Sequence, residues 1–177
     1  VGDCSIDLEK IKKENCYDFR YHNTNINLIN RFIGDIKKIF GLDLSVKVAK
    51  PIAGHLPRHY VRVPAIIGRL ISILFPQVVN KNAVKIDIMF YPEFIGALFD
   101  DEGHCSKTEQ KLFISNTNFS LLEDTKKMLF SLGISAILDK KQFKLYIRGK
   151  ENLQKFLEKI LIYSIEKKQR LIDNLSK

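Results

Sequence analysis

The chain has 177 residues and is 45% hydrophobic, enough apolar content for one domain or two small halves sharing a core. Its 29 Lys and Arg against 20 Asp and Glu leave a formal charge of +9, a field that attracts polyanions. No apolar run reaches the ~20 residues that span a bilayer, no secretory leader opens the chain, and an odd set of cysteines (Cys4, Cys16, Cys105) forms no Cys-x-x-Cys pair; a soluble cytoplasmic protein with no membrane partner is expected.

Taken in chain order, the first elements are a Gly2-Asp3-Cys4-Ser5 segment and a strand at 17–22. Asn23-Thr24-Asn25 supplies N-cap chemistry for a helix that places Leu28, Ile29, Phe32, Ile33, Ile36 and Ile39 on one face and ends at Gly41. Strands at 44–50 and 60–63 and a helix at 66–75 follow. Pro92 then opens a helix that ends in Asp100-Asp101-Glu102, with Gly103 as its left-handed cap. The remainder repeats the first pattern. A strand at 111–115 leads to Asn116-Thr117-Asn118 and a helix carrying Leu121, Leu122, Thr125, Leu129 and Leu132, closed by Gly133. Strands at 135–138 and 143–147 precede a closing helix at 151–163 that can run on to Leu175.

The acidic helix end is unusual, because a helix C-terminus is partially negative and prefers cations. A positive group is expected beside it, and a divalent cation held by carboxylate oxygens is one candidate. On charge alone the run also reads as an acidic surface turn.

The strands carry a second signal. Alternation puts Arg58, Tyr60 and Arg62 on one face opposite Val61 and Val63, and Lys144, Tyr146 and Arg148 opposite Phe143, Leu145 and Ile147. Lys47 lies between Val46 and Val48, and Lys111 precedes Leu112 and Ile114. Any antiparallel sheet has a polar outer face, but here that face is basic and aromatic in both copies, as a surface reading a DNA groove requires.

Three segments recur in order. Gly2-Asp3-Cys4-Ser5 returns as Gly103-His104-Cys105-Ser106, Asn23-Thr24-Asn25 as Asn116-Thr117-Asn118, and Tyr60-Val61-Arg62 as Tyr146-Ile147-Arg148. The offsets are 101, 93 and 86 residues (103 − 2, 116 − 23, 146 − 60).

Ile95-Gly96-Ala97-Leu98-Phe99-Asp100-Asp101-Glu102-Gly103 resembles the signature helix of the LAGLIDADG (DOD-type) homing endonucleases, in the variant ending Asp-x-Glu-Gly. The resemblance implies an α+β fold of two pseudo-symmetric half-units (αββαββα) whose antiparallel sheets form a DNA-binding saddle. It makes 1–80 the first repeat, 81–91 a linker and 92–177 the second repeat. Gly96 and Ala97 become the small pair that lets two such helices pack closely, near a pseudo-two-fold axis. Glu102 becomes the ligand of a catalytic Mg²⁺ or Mn²⁺, with Asp100 as a further catalytic candidate. Lys81 and Lys168, the latter in the run Lys167-Lys168-Gln169, take the place of basic residues near the cut phosphate. Lys47, Arg58, Tyr60, Arg62, Lys111, Lys144, Tyr146 and Arg148 become the DNA-binding set.

In this alignment Val1 stands opposite Glu102, so the first copy lacks its initial helix and its acid. A fragment of a longer, pseudo-symmetric endonuclease or intein is expected, with the Ile95, Leu98 and Phe99 face open to association. The implied function is site-specific, metal-dependent hydrolysis of double-stranded DNA; the alternative is a DNA- or RNA-binding relative, maturase-like or regulatory, that keeps the saddle only. His55 and His59 have ligand-like spacing but flank Pro57 without a cysteine pair and read as loop; His104 reads as a turn residue or a phosphate contact.

Overall fold

Each Asn-Thr-Asn triplet starts a helix, and its first asparagine makes the same side-chain bond in both units. The carboxamide oxygen of Asn23 accepts from the Asn25 N–H at 2.8 Å, and that of Asn116 from the Asn118 N–H at 2.8 Å. Asn25 and Asn118 then cap their helices by accepting from Asn27 and Leu121 N–H. Gly41 (φ 69°) and Gly133 (φ 73°) turn the chain out of those helices in the left-handed region that favours glycine.

The computed structural model describes residues 3–6, 19–49, 57–74 and 86–176. The chain divides into two units, Val1–Asn80 and Lys81–Lys177. The first holds β1 (Asp3–Ile6), β2 (Phe19–Asn23), α1 (Ile26–Phe40), β3 (Val46–Val48), β4 (His59–Val63) and α2 (Ala65–Leu74). Its antiparallel sheet has the order β1-β2-β4-β3. Phe19, Tyr21, Val61 and Val63 alternate onto the face that packs against α1, where Phe32 meets both Phe19 and Tyr21.

The second unit opens with a short 3₁₀ turn, Ile88–Phe90. There follow α3 (Tyr91–Glu102), β5 (Gly103–Cys105), β6 (Lys111–Ser115), α4 (Phe119–Ser131), β7 (Ile137–Asp139), β8 (Lys144–Arg148), α5 (Lys150–Lys159) and α6 (Ile165–Leu175). The strand order β5-β6-β8-β7 repeats that of the first sheet. One core joins Ile95 and Phe99 of α3 to Leu112, Ile114, Leu145, Ile147, Phe156 and Leu171, and the Phe99 and Phe156 rings meet edge to face at 5.2 Å. Ile95 and Phe99 are therefore spent on their own unit, not left open to a partner; burying each stabilises by roughly 1.5–3 kcal/mol.

Several local expectations change. Gly103 is extended (φ −83°, ψ 152°) and begins β5; its glycine identity serves close approach, since a Cβ there would lie 2.0 Å from the Phe99 ring. Phe143 does not begin a strand: Asp139 accepts from Lys141 and Gln142 N–H to form a turn, and Phe143 leaves it at φ 52°. The closing helix is two helices. It breaks at Ile160, which is extended, and Ser164 caps the second by accepting from Lys167 N–H. Lys81, Val1, Cys16 and His55 lie outside the described residues.

The caps and ladders also fix which residues correspond between units. From Asn23 and Asn116, equivalent by their bonds, the offset along β2 and β6 is 93 residues (116 − 23). Following the pairs, Arg20 corresponds to Phe113 and Tyr21 to Ile114. Their partners then equate Arg62 with Tyr146, Val61 with Leu145, and Cys4 with Gly103. Matching Tyr60 with Tyr146, or Cys4 with Cys105, is thus two residues out of step. Asp3, not Val1, stands where Glu102 stands, one residue before the paired Cys4 or Gly103.

Gly96 packs against a backbone: a Cβ would fall 2.1 Å from the Leu161 carbonyl oxygen, while Leu161 N–H donates to Pro92 O at 3.3 Å. Its partner is thus the loop between α5 and α6, and Ala97 is exposed. Gly96→Ala should cost at least about 1–3 kcal/mol as overpacking, read as a lower thermal midpoint, with Ala97→Ser nearly neutral.

Candidate nucleic-acid interface and acidic helix end

The outward face of the first sheet is built by alternation in β2 and β4. Arg20 lies directly opposite Arg62, and His22 opposite Tyr60, which in turn pairs with Lys47 on β3. The His22 and Tyr60 rings stack at 5.3 Å, and the Arg20 guanidinium stands 5.9 Å from the Tyr60 ring centre. Arg58 is exposed just ahead of β4, its carbonyl accepting from Ala49 N–H at 2.8 Å. Arg20 and His22 belong to this face although they lie in a strand whose basic residues were not singled out from sequence; their alternation with Phe19 and Tyr21 is the signal.

The second sheet differs. His104, Phe113, Tyr146 and Ile137 pair in succession across β5, β6, β8 and β7. The His104 and Phe113 rings are 5.1 Å apart and those of Phe113 and Tyr146 5.7 Å. Cations flank the row: Lys144 Nζ is 4.9 Å from the Phe113 ring and the Arg148 guanidinium 5.0 Å from the Tyr146 ring. Lys111 lies opposite Arg148 and donates to Glu109 at 2.8 Å. His104 is a strand residue, not a turn residue. Partial burial, then Arg170, Lys167, Lys107 and Lys144, hold its pKa below the usual histidine value.

At the end of α3 the three acids part ways. Asp100 is only 5% exposed, and its two oxygens accept from Tyr163 N–H at 2.8 Å and Ser164 N–H at 3.0 Å. A carboxylate so committed braces the loop between α5 and α6. The expected positive charge is Lys167, whose ammonium donates to the carbonyls of Phe99 (2.9 Å) and Asp100 (2.7 Å) and lies 5.6 Å from the Phe99 ring. Burial pulls the Lys167 pKa down, against Asp100, Asp101, Cys105 and Glu102, which act the other way. Lys168, its neighbour, is exposed on α6 and takes no part in this cap. Cys105 is buried, and burial pushes its thiol up to about 11, which suits a packed residue rather than a ligand.

Asp101 and Glu102 are half-buried on the last turn. Among the described residues no group of three or more Asp, Glu, His or Cys side chains gathers to hold a metal. This donor set does not make an all-protein cage. It fits a hard cation that takes one or two carboxylates and completes its shell with phosphate oxygens and water.

Residues 89–161 match the LAGLIDADG-like domain family. The chain resembles that family over this segment of its second unit. Its fold is that of solved LAGLIDADG structures. I-DmoI in complex with DNA and Ca is 20% identical over 84% of this chain and 78% of that one, with a TM-score of 0.57. I-WcaI bound to its DNA recognition sequence is 14% identical over 96% and 80%, with a TM-score of 0.58. Full-length DUF199/WhiA from Thermatoga maritima is 18% identical over 97% of this chain and 55% of that one, with a TM-score of 0.57. Among curated proteins none matches by sequence.

Asp100→Ala should destabilise by about 2–4 kcal/mol in denaturant unfolding, because two amides lose a charged acceptor. Lys167 gives a pH test. Its folded pKa is depressed, so the unfolded chain binds more protons just below the ordinary lysine value, and stability rises with pH through that window. Lys167→Met should flatten that rise relative to the parent.

Proposed function

We propose that this protein is a site-specific double-stranded DNA-binding protein of homing-endonuclease type that hydrolyses DNA with a divalent cation. One observation carries the reading: both four-stranded sheets turn an outward face of cations interleaved with aromatic rings away from their helices. Neutralising backbone phosphates is the work of Lys47, Arg58, Lys111, Lys144 and Arg148, while base edges meet the residues at the centre of each sheet. The DNA-bound relatives of this fold support the choice of duplex DNA over other polyanions.

Glu102 is the acid assigned to Mg²⁺ or Mn²⁺, with Asp3 as its counterpart at the head of the first sheet. When bound, such a cation activates water and neutralises charge building on the phosphate. The chain's own residues do the rest. Lys167 compensates the negative helix end that carries Glu102, and the basic strands hold the duplex in register. A reducing cytoplasm suits the free thiol of Cys105. The second reading, a DNA- or RNA-binding relative that keeps the sheet surface without cutting, is favoured by the commitment of Asp100 to the loop.

Binding to duplex DNA should weaken with salt, by roughly 0.9 log unit per log unit of salt for each phosphate contact, as measured by anisotropy. An affinity indifferent to salt would overturn the interface. Selection from random duplexes followed by incubation of the selected site with Mg²⁺ separates the two readings. The endonuclease reading expects cleavage that falls at least tenfold in Glu102→Gln and in Asp3→Asn with binding unchanged; salt-dependent binding without any strand cut in Mg²⁺ or Mn²⁺ establishes the non-cutting reading.

A further inference from the structure

The rows that cross the middle of the two sheets occupy equivalent ladder positions and have opposite chemistry. In the first unit the row is Ser5, Arg20 and Arg62, paired across β1, β2 and β4. In the second it is His104, Phe113, Tyr146 and Ile137. Arg20 and Arg62, paired across neighbouring strands, each carry a guanidinium fork of the kind that matches the O6 and N7 acceptors of guanine.

The second row presents no such donors at its centre. Phe113 and Tyr146 are half-exposed rings in contact, and Ile137, 60% exposed, extends the apolar strip to the sheet edge. An outward apolar strip on a strand face costs solvation unless something apolar covers it. In a DNA major groove the apolar feature of a base edge is the thymine C5-methyl group. Lys144 and Arg148 stand over the Phe113 and Tyr146 rings and supply the charge that phosphates need.

We infer that the two units read bases of different kind: the first unit selects guanine through Arg20 and Arg62, and the second selects thymine methyl groups through Phe113, Tyr146 and Ile137. The inference rests on the duplex-binding reading above and adds to it the base composition of the target. The recognition site is therefore asymmetric, with a guanine-bearing half and a thymine-bearing half.

The test uses the full chain and the duplex selected from a random library. Every thymine is replaced by deoxyuridine, which deletes only the methyl group, one half-site at a time; in separate duplexes guanine is replaced by 7-deazaguanine, which deletes the N7 acceptor. Deoxyuridine should weaken binding about tenfold in one half only, and 7-deazaguanine about tenfold in the other. The deoxyuridine effect should vanish in Phe113→Ser and shrink in Ile137→Ser, whose exposed position guards against a folding defect in the first variant. The 7-deazaguanine effect should vanish in Arg62→Ala. Tight, salt-dependent binding with no deoxyuridine penalty, or a penalty unchanged in both Phe113→Ser and Ile137→Ser, would overturn this inference and leave the function standing. Absence of salt-dependent duplex binding would overturn the function and this inference with it.

Discussion

The carboxylate of Asp100 organises the second unit. It is nearly buried, a costly place for a charge, and it is held there by two backbone amides, those of Tyr163 and Ser164. Those two bonds pin the chain between α5 and α6 against α3. Because the chain turns there, α6 runs back beside β5, where Cys105 Sγ lies 3.7 Å from the Lys167 carbonyl and Asn174 Nδ2 donates to Ser106 O at 2.9 Å. That return brings Lys167 to the end of α3. The close fit needs Gly96 against the Leu161 carbonyl and Gly103 against the Phe99 ring. One acid thus fixes the loop, the loop fixes a helix, and the helix delivers the cation that a negative helix end requires.

The same chain of contacts separates the three acids by task. Asp100 braces the fold, and Asp101 and Glu102 are left on the half-buried last turn. From sequence they look alike, because three carboxylates in a row carry no mark of which one points inward. The amides that claim Asp100 come from 63 and 64 residues further on, beyond the reach of any local pattern. The choice between Lys167 and Lys168 fails to show for the same reason: which neighbour faces α3 is set by the phase of α6, and that phase is set by Ser164.

Much of the rest was legible. The Asn-x-Asn caps, Gly41 and Gly133 carry local chemistry that means the same thing wherever it occurs. The alternation of Tyr60 and Arg62 with Val61 and Val63 told which strand face is wet. It could not tell register. A strand has a period of two, so a slip of two residues keeps every side chain on its face and leaves the pattern looking correct. The Tyr-x-Arg and Gly-x-Cys-Ser matches slipped by that amount. Restoring the ladder makes Asp3 the counterpart of Glu102 and Arg62 the counterpart of Tyr146, so units alike in fold present unlike surfaces.

The central claim is that both sheets meet DNA with their strand faces and not their helices. Oxidative footprinting by hydroxyl radicals, read by mass spectrometry with and without the selected duplex, tests it directly. The account predicts that Tyr60, Phe113 and Tyr146 become protected on DNA binding. Phe130, 78% exposed on α4, and Ile165, exposed on α6, should oxidise at the same rate in both states. Protection of Phe130 and Ile165 with Phe113 and Tyr146 unchanged would contradict the account.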